Sequence, residues 1–336
     1  MQEKKQIKNP HDAIDAIVTW VDGNDPAHIN KRNKALAVNP NRQSSTIPAG
    51  TDHTRFENNN EIEYCLRSIR KFAPWIRTIF LITDQQHPKF LTQQEQQKLR
   101  VKVIDHCEIF KGYEEALPTF NSLSIETALH RVPDLAPKYI YLNDDFILLG
   151  PTQASDFFTS DGVVLRGEWK RLKNFSSCRL WISKKINYIA KKTLGINRAM
   201  SALQQMKGAK IAGARDHYFN AAHTPYPVRK ETIESFMTKN PKIFKENISY
   251  KFRDLNQYAT TALSNHLEII RKKAETNASN DHIMICFNRD RKSQIRKKIE
   301  LLNSKNIKFL CLQSLEQASD MSRKELIDTL KSRILN

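Results

Sequence analysis

This 336-residue sequence predicts an α/β fold: a mostly parallel central sheet flanked by helices, followed by a basic, largely helical part. Three observations carry that prediction. The first half holds short, continuous apolar runs, which is how a strand reads when both its faces are buried in a parallel sheet. Those runs alternate with segments whose apolar residues recur at helical spacing, the order expected of strands joined by crossover helices. The charge is also split. Residues 1–165 hold 19 Lys/Arg and 21 Asp/Glu, and residues 166–336 hold 35 and 15. The first half resembles an ordinary enzyme core, and the second is built to meet something anionic: nucleic acid, a membrane surface or a phosphate-rich substrate.

The elements follow in order. Residues 1–12 are polar and read as a flexible N-terminus. Ala13 to Trp20 reads as the first buried strand. It ends in Val21-Asp22-Gly23-Asn24-Asp25-Pro26, a turn-rich stretch with two acids, and Pro26 opens a helix to about residue 38. A strand-loop-helix of this kind is either a nucleotide cradle or a plain βα turn. Residues 39–57 lack periodicity and read as a loop that includes Arg55, a phosphate contact or a surface charge. Residues 58–72 place Ile62, Cys65, Leu66 and Ile69 on one helical face, with Asn58–Asn60 as caps and Pro74 as the stop. Strands follow at 78–83 and 101–105, then a helix over 120–130 that begins at Asn121 and Ser122.

Lys138-Tyr139-Ile140-Tyr141-Leu142-Asn143-Asp144-Asp145 is the centre of the chain. An apolar run leads straight into two carboxylates, and a second apolar run continues to Gly150. Ligands bind at the carboxyl ends of strands in open α/β sheets. Adjacent carboxylates there repel each other unless a cation sits between them. Mg²⁺ or Mn²⁺ shared with a substrate diphosphate fits such a pair.

Residues 162–166 read as one more strand, and 168–212 as basic and helical. In 216–230, Pro225 and Pro227 hold an extended loop that carries His223 and Arg229. Helices are expected at 231–247 and 254–273, a strand at 282–287, a very basic helix at 291–302, a strand at 307–312 and a helix at 323–335. The expected organisation is an α/β core over 13–166, a helical insertion over 167–215, completion of the core over 216–290 and a basic segment from 291. Five scattered cysteines without a Cys-x-x-Cys pair suggest reduced core residues of a cytoplasmic protein. No secretory signal or spanning segment is visible, so the expectation is a soluble or membrane-peripheral protein.

Taken together these segments resemble the Stealth family of bacterial sugar-phosphate transferases of surface-polysaccharide synthesis. The first block is similar to Asp15–Pro26. The second is similar to Arg55–Gly150, including Asn59-Asn60-Glu61, Ser68-Ile69-Arg70-Lys71-Phe72-Ala73-Pro74-Trp75-Ile76-Arg77, Leu117-Pro118-Thr119-Phe120-Asn121-Ser122 and Tyr141-Leu142-Asn143-Asp144-Asp145. The third is similar to His223-Thr224-Pro225-Tyr226-Pro227-Val228-Arg229-Lys230. The fourth, usually Cys-(Ile/Leu)-Asn-Asp, stands here as Cys286-Phe287-Asn288-Arg289, with an arginine at the usual Asp position and Asp290 beside it.

The resemblance implies a GT-A-like nucleotide-sugar fold. It also implies transfer of a hexose-1-phosphate or N-acetylhexosamine-1-phosphate from a UDP-sugar to a hydroxyl of a glycan acceptor, with release of UMP. In that scheme Asp144 and Asp145, with Asp290, hold Mg²⁺ or Mn²⁺. His223 is the general base, and Asp22 is the alternative proton acceptor. Arg229 and Arg55 fork onto phosphate oxygens. Asn143 orients the phosphate or binds sugar hydroxyls. Trp20, Gly23, Asn60, Asn121, Ser122 and Asn288 line the substrates. Two competing readings are a metal-dependent glycosyltransferase of the same fold that releases UDP, and a basic nucleic-acid-binding protein. The chain shows none of the signatures usual for nucleic-acid modules. A phosphate-linked glycan, or peripheral docking on an anionic inner membrane, explains the basic half equally well.

Overall fold

The computed structural model describes residues 13–38, 59–173, 201–277 and 280–335. Its centre is a sheet of order β3-β2-β1-β4-β8, formed by β1 (Ile14–Thr19), β2 (Ile79–Thr83), β3 (Val101–Asp105), β4 (Lys138–Asn143) and β8 (Tyr226–Arg229). The first four strands run parallel and β8 runs antiparallel to β4. Successive side chains of each strand go to opposite faces. Ala16, Val18 and Leu81 therefore pack with Ile62, Cys65, Leu66 and Ile69 of helix α2 (Glu61–Phe72) on one side. Ile17, Phe80, Ile82, Tyr139 and Tyr141 pack on the other, against Ala128 of α5 (Ser122–Ala128) and Leu263 of α9 (Thr260–Ile270). At the foot of β1 a buried Asp15 takes a fork from Arg77, at 2.9 and 2.6 Å, and two backbone N–H groups. A buried carboxylate is stable only when its acceptor sites are filled in this way.

Two smaller sheets flank the first. β5 (Phe146–Leu148) pairs antiparallel with β11 (Phe309–Gln313), which pairs in parallel with β10 (His282–Cys286). β6 (Val163–Arg171) lies between β7 (His217–Ala221, antiparallel) and β9 (Ala274–Asn277, parallel). The remaining helices are α1 (Pro26–Val38), α3 (Gln93–Leu99), α4 (His106–Ile109), α6 (Ser201–Ala212), α7 (Lys230–Lys239), α8 (Pro241–Ile248), α10 (Lys292–Leu301) and α11 (Asp320–Ile334).

Several expectations change. Residues 168–171 extend β6 and are not helical, so Trp169 sits on a strand. The expected loop over 216–230 is two strands, β7 and β8, joined by a short turn at His223. Pro241 breaks the helix expected over 231–247, since a proline at the first helical position starts a helix instead of continuing one. Helix α3 and strand β9 are additions to the expected elements, because neither has a clear periodicity in sequence. The segment from 291 packs into the body of the molecule: Ile295, Ile299, Leu326 and Leu330 share a cluster with Ile147 and Leu149 of the central stretch. Residues 174–200 of the expected insertion lie outside the described residues.

Candidate active site

The carboxyl ends of β1 and β4 meet the start of α2, and this junction positions the acids. β4 stops at Asn143, and Asp144 and Asp145 make the turn into β5. Asn143 is held in place: its Oδ1 accepts from the Tyr141 hydroxyl at 2.8 Å and from Thr19 at 3.5 Å. The Asp145 carbonyl accepts from the Leu312 N–H at 2.9 Å, so the turn is tied to β11. The Cys311 thiol donates to Asp145 Oδ2 at 3.6 Å, while buried Asp145 Oδ1 has no partner among the described residues.

Burial pushes both carboxyls up, and neighbouring charge adds to it. Asp144 is raised well above the usual carboxylate range by burial, then by Asp145 and Glu61. Asp145 is raised to about 7 by burial and then by Glu61. Glu61, at the first turn of α2, is itself raised by burial. Asp144 and Asp145, whose ionised forms are disfavoured by each other or by Glu61 and one of whose oxygens is unpaired, are donors that suit a hard divalent cation. Among the described residues no three such side chains gather closely enough to cage an ion alone. A cation here would rest on Asp144 and Asp145 together with a bound diphosphate.

His223 reaches this turn from the β7–β8 connection. Its ring stands at 87° to that of Phe146, the residue after Asp145, with centroids 6.5 Å apart. Burial lowers its pKa first, and the charges of Arg289 and Arg253 lower it further. The imidazole is therefore held below the usual histidine range.

Arg253 is a candidate site residue that sequence reasoning missed. It lies between α8 and α9 and feels the charges of Glu126, Tyr141 and Asp145. It also donates to the Ser122 hydroxyl. Its only local signal is a lone arginine between two helices, which periodicity cannot flag.

Other expected site residues are placed differently. Arg229 pairs with Lys138 at the amino end of β4, five residues below Asn143, so about 16 Å of strand separates it from the acids. There it forms an ion pair with buried Glu268 at 3.3 Å. It stands away from Asp144 and Asp145, because β8 runs away from the acid turn. Asn121 is wholly buried; it caps α5 by accepting from Leu123 N and donates to the Tyr250 carbonyl and to Gln257. It braces the 249–257 loop and is not positioned to bind sugar hydroxyls.

Asp290 accepts from Cys286 N at 2.9 Å and from Lys298 at 2.6 Å, an ion pair within the chain, and among the described residues it does not gather with Asp144 and Asp145 into a three-ligand cluster. Asn288 accepts from the Cys286 thiol. Asn60 takes a left-handed conformation, φ 65°, ahead of α2, and makes no side-chain cap. Ser122 is held by Arg253.

The first loop lies at the same edge as the acid turn. Trp20 is buried and its indole N–H has no acceptor among the described residues. The Asp22 backbone N–H donates to Gln86, whose amide returns a bond to the Asp22 carbonyl. Gly23 is buried within the turn. Arg55 lies outside the described residues.

Stealth protein conserved region 1 matches residues 12–37, which hold β1 and the first loop, and conserved region 2 matches residues 55–165, which hold the acid turn. The chain thus carries two conserved regions of the Stealth family. It is 42% identical over 151 residues to the capsular polysaccharide phosphotransferase Cps1A of Actinobacillus pleuropneumoniae, covering 45% of this chain and 40% of that one. It is 33% identical over 235 residues to the exopolysaccharide phosphotransferase SCO2592 of Streptomyces coelicolor, covering 68% of this chain and 22% of that one. The chain thus spans well under two thirds of the length of these relatives.

Solved structures with a similar trace include the galactosyltransferase LgtC in complex with donor and acceptor sugar analogues, at 8% identity, TM-score 0.44 and 95% and 96% coverage. A second is the bifunctional glycosyltransferase WbbM, at 10% identity, TM-score 0.42 and 96% and 50% coverage.

Proposed function

We propose that the chain transfers a sugar-1-phosphate from a nucleoside-diphosphate sugar to a hydroxyl of a glycan, forming a phosphodiester and releasing UMP from a UDP-sugar. The observation that carries this reading is the meeting of Asp144 and Asp145 with a neutral His223 and with Arg253 at the carboxyl edge of the central sheet. The phosphotransferase names of the relatives support it.

Attack at phosphorus needs the phosphoryl oxygens neutralised, the acceptor deprotonated and the partners held in line. Asp144 and Asp145 would hold Mg²⁺ or Mn²⁺, which supplies charge neutralisation on the diphosphate. His223 takes the proton of the acceptor hydroxyl, and burial keeps it free to do so. Arg253 faces the same phosphate as a fixed cation. Asn143, pinned by Tyr141, orients the phosphoryl group. The Trp20 N–H is a donor available to the nucleotide end.

The test is ³¹P NMR of products from a panel of UDP-sugars with Mg²⁺ and an oligosaccharide primer. A diester resonance with UMP is expected. UDP release would instead make the enzyme a glycosyltransferase. Asp144→Asn and Asp145→Asn should each lower turnover by about 10³-fold or more, and EDTA should abolish it reversibly. Full activity in EDTA would remove the metal role.

A further inference from the structure

We propose that the outer rungs of the β6–β7 ladder form an acceptor subsite, in which the Trp169 indole stacks on a sugar ring of an anionic glycan and Arg171 meets its phosphate. The proposal rests on the phosphotransfer reading for the identity of the glycan as acceptor.

Trp169 is 51% exposed, and it is the aromatic among the large apolar side chains that stand exposed in the described residues. It is also held rigid. Its ring packs edge-on against Phe219 directly across the ladder, with centroids 5.6 Å apart at 75°. Phe219 is buried, and its N–H donates to His266 Nε2 at 2.9 Å. Gly167 draws the strands together, with φ +152° and no room for a Cβ, which would stand 2.3 Å from the Asn220 carbonyl. A rigid aromatic offers contact area at little cost in conformational entropy.

The charge around it suits an anion. Alternation along β6 sets Glu168 and Lys170 on one face, where they pair at 2.7 Å, and sets Trp169 and Arg171 on the other. His217 lies across from Arg171, and Lys173 and Arg215 are exposed at the same end. An aromatic beside a guanidinium matches a glycan whose sugars alternate with phosphates.

The ladder also leads to the site. Ala222 N donates to the Arg166 carbonyl, and His223 is the next residue. That bond lies three rungs from the Trp169–Phe219 rung, about 10 Å at the rise of a strand. A short stretch of acceptor spans this gap, so Trp169 would hold a sugar beyond the one that bears the accepting hydroxyl.

The probes are a four-unit phosphodiester-linked N-acetylglucosamine oligomer, a neutral tetramer of the same sugar, and N-acetylglucosamine 1-phosphate. Binding to the full chain is measured by calorimetry. Trp169→Ala should weaken both tetramers by about 10- to 30-fold and leave the Kd of the single unit within about twofold. Trp169→Phe, which keeps a ring, should recover most of the loss and shows that the strand still folds. Arg171→Ala should weaken the phosphate-linked tetramer and spare the neutral one.

Equal losses for long and short probes, or unchanged Kd in Trp169→Ala, would overturn the subsite. So would wild type that binds neither tetramer. If the tetramers bind through Trp169 while no UMP is ever formed, the subsite stands and the phosphotransfer reading falls. If UMP is formed while Trp169→Ala binds the tetramers unchanged, the phosphotransfer reading stands and the subsite falls.

Discussion

His223 sits where burial, then the charges of Arg289 and Arg253, lower its pKa, and a base must be unprotonated before it acts. His223→Ala should therefore lower kcat by about 10²–10⁴ with little change in donor KM. Wild-type kcat/KM should fall with decreasing pH only below the ordinary histidine range, and a variant keeping a tenth of wild-type kcat would exclude the assignment. The two arginines separate cleanly. Arg253→Ala should lower turnover and weaken donor binding. Arg229→Ala should leave buried Glu268 without its ion pair and cost about 3 kcal/mol of stability. A denaturant titration against a kinetic assay distinguishes them. If Arg229→Ala kept its stability and lost donor affinity, the roles drawn from the fold would be reversed.

Asp145 carries a stability prediction with a definite sign. Its carboxyl rises from 3.8 to about 7 on folding, because burial and Glu61 disfavour the anion. A raised carboxyl contributes stability that is present below the unfolded pKa and lost as pH rises through the folded one. The metal-free protein should then lose about 2 kcal/mol between pH 5 and pH 8. Mg²⁺ should restore it, and Asp145→Asn should reduce the slope, leaving the part that Asp144 and Glu61 carry. Urea unfolding in EDTA at the two pH values measures this.

At the scale of elements, the 249–257 loop is the piece that turns packing into chemistry. Asn121, Ser124 and Gln257 hold it through the Tyr250 and Asn247 carbonyls. Asn121→Ala would strip a buried network of one member at a cost of about 1–3 kcal/mol. It should also lower kcat through displacement of Arg253, although Asn121 touches no substrate. Unchanged kcat in a folded Asn121→Ala protein would show that the loop is set by other contacts. The β7–β8 pair is the second such element: β7 brings the chain up to His223 and β8 takes it down the sheet to Arg229.

At the scale of the whole molecule, three sheets meet at one turn. β4 belongs to the central sheet, and β5, which leaves the Asp144-Asp145 turn, pairs with β11. The C-terminal strands therefore clamp the acidic turn from behind, through the Leu312 N–H and the Cys311 thiol. Removing residues 281–335 would expose Ile147 and Leu149 and unpair β5. Such a truncation should be insoluble or strongly destabilised, not a folded core with lower activity. A soluble, cooperatively unfolding fragment would show that the last segment is an appendage.

The strands β1, β2, β3 and β4, helices α1 and α2 and the acidic turn are all legible in the linear chain, whereas His223 stands out only through the family resemblance. Each of the former depends on local signals: unbroken apolar runs, helical spacing, turn residues and acids at a strand end. Apolar periodicity is a property of neighbours in sequence, so it needs no knowledge of the fold. Other features were decided only by tertiary structure. Arg229 lies six residues from His223, but an antiparallel strand carries it to the far edge of the sheet. Arg253 and Glu61 are distant in sequence but come together at the acids. Asp290 looks like a ligand until Lys298 of the next helix neutralises it. Distance along the chain says little about distance in space once strands fold back. The charge state of a group is set by whichever neighbours the fold brings within a few ångströms of it.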